Sequence, residues 1–242
     1  MKLGYITDKQ FGKVMICTRR GMTRANARWV NGVLEMHFPA GVDERRIRAT
    51  IEQMRTGIGQ LRAKSESRSV SYHDGQVIKC YHHTVTLGYH SYKQRIVSYG
   101  CDDEATGSLF VRIPQGCEFS SPSVMKMVSA CLKELMRQRA EKHLIPFAKS
   151  IAADRGMHPR AFVIGSGMRK LGHCTRQGVI QLSYNLMFYP ENIIEYVVCH
   201  ELAHLIEFNH SPRFHAECDR LCNGNEASLE KALRSHILPI LK

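Results

Sequence analysis

The 242-residue sequence contains no C-x-x-C pair, no internal repeat and no low-complexity tract. Without C-x-x-C, and with an odd count of nine cysteines, neither a zinc ribbon nor a disulfide framework fits. Reduced thiols in a cytoplasmic chain are the expectation. No stretch approaches the roughly 18 apolar residues of a membrane span, so no membrane association is expected. The start, Met1-Lys2-Leu3-Gly4-Tyr5, lacks the apolar core of a secretory signal.

What is present is an ordinary globular composition, 43% hydrophobic and 23% charged. The length suits one large domain or two small ones, with enough core that neither disulfides nor a metal need hold the fold together. The net charge of +12 is unevenly spread. Residues 1–64 hold 13 Lys and Arg against 5 Asp and Glu, whereas residues 65–117 balance at 5 against 5. Residues 118–160 hold 8 against 4, and residues 161–242 balance at 8 against 8. Such a basic N-terminal half can attract the phosphates of nucleic acid; a solvated basic face is the alternative.

Periodicity places strands near residues 13–18 and 33–38, joined through the Asn31-Gly32 turn signal. A helix is expected over 43–62, with Ile47, Ile51, Met54, Ile58 and Leu61 at spacings of three and four. More strands are expected at 70–72, 77–81, 84–87, 94–99 and 109–113. His82, His83 and His90 fall among these; surface polar groups are the plainer reading and metal binding the alternative. Ser121-Pro122 starts a helix that Pro146 ends or kinks, and residues 147–153 continue it. Strands at 161–164 and 178–184 follow.

The densest chemistry lies in His200-Glu201-Leu202-Ala203-His204, with His210 six residues on. With 13 His and 15 Glu, chance places an H-E-x-x-H somewhere in such a chain about 4% of the time. The context is helical. Pro190 suits a helix start, and Ile193, Ile194, Val197, Val198, Leu202, Leu205 and Ile206 form a broad apolar face. Histidines at i and i+4 share a helix face and can grip one ion. Buried imidazole and carboxyl groups are costly unless paired or metal-bound. The pattern implies Zn2+ held by His200 and His204, with Glu201 as base toward water. A third ligand is needed. His210 follows a turn-forming segment and is favoured, with His215, Glu217 and Glu226 as competitors. The histidine spacing matches the metzincins, but Glu207 stands where they have glycine. Cys218 and Cys222 are also at i and i+4; a half-buried helix face is the plainer reading and a second metal pair the alternative.

Three blocks resemble the YgjP-like metallopeptidases, relatives of the SprT-like zinc proteases. Arg169-Lys170-Leu171-Gly172-His173-Cys174 resembles that family's R-x-W-G-S-C, and residues 178–186 resemble its strand ending in asparagine. Residues 196–205 and 209–214 resemble its metal block. Phe38-Pro39-Ala40-Gly41-Val42 is similar to a strand-to-helix junction of the family. Leu171, His173 and His215 depart from the family pattern, so the substrate does not carry over. The resemblance implies that His200, His204 and His210 bind zinc and that Glu201 is the base of a peptidase.

Together these readings predict an α+β protein. A β-rich N-terminal region with one basic helix is expected over 1–118. A small zincin-like metallopeptidase domain with an H-E-x-x-H active-site helix is expected over 119–242. The expected partner is a peptide or protein substrate, with nucleic acid as a further partner through the basic half. A zinc-containing nucleic-acid-binding or interaction module without turnover is the competing expectation.

Overall fold

The computed structural model describes residues 2–30, 32–66, 70–91, 96–168 and 170–241. It is a mixed α+β chain that divides into two compact units, Met1–Ser69 and Val70–Lys242.

In the first unit, strands β1 (Lys2–Asp8), β2 (Gly12–Arg19), β3 (Asn26–Val30) and β4 (Val33–Pro39) form a sheet in the order β1-β2-β4-β3. β2 and β4 run parallel, and the other two pairings are antiparallel. The helix α1 (Glu44–Glu66) follows. Asp43 starts it by accepting a hydrogen bond from the Arg46 amide at 2.7 Å. Ile47, Ile51 and Ile58 of α1 pack with Val14, Ile16, Leu34, Met36 and Phe38 of the sheet. The first strand escapes the periodicity reading because β1 is an edge strand, where no alternating buried set is imposed.

The second unit opens with β5 (Val77–Cys80), β6 (His83–His90), β7 (Ser98–Asp103) and β8 (Ser108–Pro114), in the order β5-β6-β8-β7. β6 and β8 are parallel, and the outer pairings antiparallel. A long helix, α2 (Pro122–Asp154), comes next. This is the same plan as the first unit: four strands, one internal parallel pair, then a helix. The equivalent turns read Pro39-Ala40-Gly41 and Pro114-Gln115-Gly116, and the two glycines have φ of 85° and 88°. The chain therefore holds a structural repeat that its sequence does not reveal.

α2 is one helix straight through Pro146. Its buried residues Leu144, Ala148 and Ile151 hold both sides of the proline in one core, which outweighs the missing backbone donor. The expected boundary at 118/119 falls inside the second unit. The sheet β5–β8 shares a single core with α2 and with everything that follows, from Tyr72 to Ile240. Nor are His83 and His90 surface groups. Both are buried, His83 Nδ1 against the Gly107 carbonyl at 3.3 Å and His90 Nε2 against the Ile96 carbonyl at 2.8 Å.

Beyond α2 come β9 (Ala161–Gly165), β10 (Gly172–Cys174) and β11 (Val179–Ser183), ordered β10-β11-β9. A 3-10 turn (Tyr184–Phe188) leads to α3 (Glu191–Ala203), α4 (Pro212–Leu221) and α5 (Glu226–Ser235). The C-terminal segment is pinned to α2: the Leu241 amide donates to Ser129 Oγ at 2.9 Å, and Lys133 Nζ donates to the Leu241 carbonyl at 2.7 Å. No helix among the described residues is long and apolar enough to cross a membrane.

Candidate metal centre and its cleft

α3 is nearly all buried. Ile193, Ile194, Val197, Val198, Cys199, Leu202 and Ala203 face the core, leaving His200 half-buried at its C-terminal end. The helix stops at Ala203 with His204 as its cap. Turn bonds from the amides of Leu205, Ile206 and Glu207 to the carbonyls of Leu202 and Ala203 then reverse the chain. Ser211, accepting from the Phe214 amide, and Pro212 start α4. This reversal returns His210 to the helix end.

One nitrogen each of His200, His204 and His210 lies within 4.8 Å of the others. No other such group of three or more His, Cys, Asp or Glu occurs among the described residues. Phe214 of α4, fully buried, is the platform for the trio, with ring centroids 4.9, 4.5 and 4.7 Å from those of His200, His204 and His210. His204 Nδ1 donates to the Glu207 carbonyl at 3.1 Å, which leaves Nε2 as a lone pair. His200 Nε2 and His210 Nε2 face each other at 3.2 Å. A tetrahedral ion with Zn–N bonds of about 2.0–2.1 Å sets neighbouring ligand nitrogens about 3.3 Å apart, so the spacing fits. Burial, then the neighbouring imidazoles, push the His200 pKa down to about 4, and burial also lowers that of His204. Both are neutral at pH 7, as ligands must be.

Glu201, 5% exposed, sits beside the trio with its Oε2 unpartnered. Burial pushes its pKa up to about 7, opposed by the Cys174 backbone amide and the Lys170 charge. A carboxyl balanced near neutrality in a cleft is suited to taking and returning a proton. Its place depends on β10. A Cβ on Gly172 would overlap the Glu201 carboxylate, so the strand can pass this close only with glycine there. Behind β10, Ser183 Oγ and Asn185 Nδ2 donate to the Gly167 carbonyl at 2.6 and 3.1 Å and fix the loop that delivers the strand.

The competing ligands each have a partner, and the His215 ring lies 6.4 Å from that of His210. His215 Nδ1 pairs with Glu226 at 2.7 Å, and Glu217 with Arg220 Nε at 3.0 Å. Cys218 and Cys222 are buried in the core beneath α3. Tyr196 and His173 also line the cleft; Arg169 lies outside the described residues. Sequence reasoning missed Phe214 and Gly172 as positioning residues. Only their places in the resemblance blocks marked them, because their roles depend on residues far away in the chain.

No curated protein matches the chain. Among solved structures, the crystal structure of the metallopeptidase zymogen of Pyrococcus abyssi abylysin is similar at 21% identity, over 38% of this chain and 92% of that one, with a TM-score of 0.34. The family model of the YgjP-like metallopeptidase domain matches residues 24–236. That span takes in the whole metal centre and most of the chain, which belongs to the YgjP-like metallopeptidase family.

Proposed function

We propose that the chain is a zinc-dependent peptidase with a zincin-like catalytic unit, in which His200, His204 and His210 hold the ion and Glu201 is the general base. Membership of a metallopeptidase family implies a metal ion and a peptide or protein substrate. The observation that carries the finer reading is one cleft holding three converging imidazoles beside a buried carboxyl with a free oxygen. When bound, zinc would lower the pKa of water toward about 7 and polarise a carbonyl. Glu201 accepts a proton from water and returns it to the leaving amine. His204, oriented by the Glu207 carbonyl, and Phe214 beneath the rings keep the ligand geometry.

Substrate backbone has one evident docking edge. β11 is paired on both sides, so an added strand cannot lie on it. Of the two edge strands, β10 and β9, β10 lines the cleft. Leu171 and Thr175 bond to β11, so the alternation turns the backbone groups of Gly172 and Cys174 to the open side, where the Cys174 amide already meets Glu201. An extended peptide can pair there.

The test is metal content with turnover. About one zinc per chain is expected, lost in His204→Ala. Glu201→Gln should retain zinc and lose hydrolysis of an unfolded protein by at least about a thousandfold. Zinc retained with no hydrolysis by the unaltered protein would favour the non-catalytic nucleic-acid or interaction module. The surplus of Lys and Arg in residues 1–64 supports nucleic acid as a further partner. Binding to single- or double-stranded DNA that weakens steeply with salt is expected, and its absence at low salt would remove that partner. Nine unbridged thiols support a reducing, cytoplasmic setting.

A further inference from the structure

The cleft beside the three histidines has a volume of about 460 Å³, within the roughly 300–1,000 Å³ typical of ligand pockets. Its floor is one stripe of α3: Tyr196, Val197, His200, Glu201 and His204. Tyr196 and Val197 precede His200 and Glu201 by four residues, about one helical turn or roughly 6 Å. Leu171, leading into β10, lines it from one element, and Leu233 of α5 from another. Glu230 and Arg234 share the α5 face with Leu233 and pair with each other. Beyond the site residues, the lining holds Lys170 and His173 at and before β10 and is otherwise aliphatic and aromatic, with its two α5 charges neutralising one another.

We infer that this part of the cleft is a side-chain pocket that selects a large apolar residue, of the leucine or phenylalanine class, adjoining the bond to be cleaved. The inference rests on the peptidase reading above. Consecutive Cα atoms are about 3.8 Å apart, so the side chain next to a carbonyl at the metal centre reaches the one-turn offset at which Tyr196 and Val197 lie. An apolar side chain there trades water for Leu171, Val197 and Leu233. A charged one gives up hydration; the α5 charges are paired, and the Lys170 charge acts on Glu201.

The probes are nine-residue alanine–serine peptides with Gly, Asp, Leu or Phe at the centre. Their binding to the zinc-loaded, full-length Glu201→Gln protein is measured by calorimetry, alongside cleavage by the unaltered protein. The Leu and Phe peptides should bind on the order of tenfold to a hundredfold tighter than the Gly and Asp peptides. Leu233→Arg, which charges the pocket, and Leu171→Trp, which fills it, should each reduce that preference to about threefold or less. Both positions are half-buried, and a melting curve verifies that each variant is folded. Equal affinities for all four peptides, no binding, or a preference unchanged in both folded variants would overturn the pocket. Cleavage without preference removes the pocket and keeps the peptidase; preferential binding without cleavage keeps a peptide pocket and removes the peptidase.

Discussion

The two sheet–helix modules share strand order, pairing pattern and the Pro-x-Gly entry to the helix, yet their helices are used differently. At about 100° per residue, the buried positions of α1 (Ile47, Ile51, Ile58) fall within roughly 40° of arc. Those of α2, from Val124 to Ala152, wind through roughly 280°. A narrow stripe covers one sheet and stops. A winding stripe packs β8 near its start and reaches β9, the 3-10 turn and α3 as well. The second module is therefore a structural part of the unit that carries the three histidines, while the first has a core of its own and carries the basic surplus. The same local plan supports two roles because the role depends on which helix faces are apolar.

Core truncation should separate the modules most strongly. Leu132→Ala in α2 and Ile51→Ala in α1 should each cost about 2–5 kcal/mol. Only the α2 variant should also lower zinc content near its melting transition, measured by metal release during thermal unfolding. Equal metal loss in both would break the distinction. Acid should separate them next. Burial, helped by the neighbouring His83, His82, Lys142 and Arg139, lowers the His143 pKa to about 4 from 6.5. The folded form then binds fewer protons than the unfolded one, so this contribution is intact above pH 6.5 and is lost as pH falls toward 4. In the first module, the Arg55 guanidinium holds Asp8 at about 2, down from 3.8. That contribution persists to pH 3.8 and is lost only toward pH 2. Melting of the second unit should thus weaken between pH 6.5 and 4, less so in His143→Gln, before Asp8 begins to protonate.

Smaller effects test whether the modules are equivalent. Gly41 and Gly116 have the same left-handed backbone, with nothing within 4 Å of an added Cβ. Alanine at either should cost a similar amount, about 1 kcal/mol, read from denaturant midpoints; a large inequality would deny the repeat. Smallest of all, Arg48→Ala removes an exposed pair with Glu44 on α1 and should change stability by less than about 0.5 kcal/mol.

Legibility followed the range of the interaction. The helix carrying His200 and Glu201 was readable because its apolar spacing is local, and β6, β8 and β11 because alternation or an apolar run marks them. His210 could only be favoured over His215 in the sequence; the fold groups His210 with His200 and His204 and pairs His215 Nδ1 with Glu226. The repeat was hidden because strand order is set by distant pairings, and Pro-x-Gly is too short a trace to announce it. His83 and His90 look polar in the sequence, yet carbonyls of Gly107 and Ile96 make their burial tolerable.

By itself the sequence determined the long helices, strands such as β6, β8 and β11, the charge asymmetry and the H-E-x-x-H face, all properties of residues within a few turns of one another. Tertiary structure alone decided the rest. It put Phe214 beneath three imidazoles, brought Gly172 against the Glu201 carboxyl, and set Leu171 and Leu233 in one cleft wall lining. Burial and close approach between segments 30 to 60 residues apart perturb a carboxyl and build a pocket, and no local pattern encodes either.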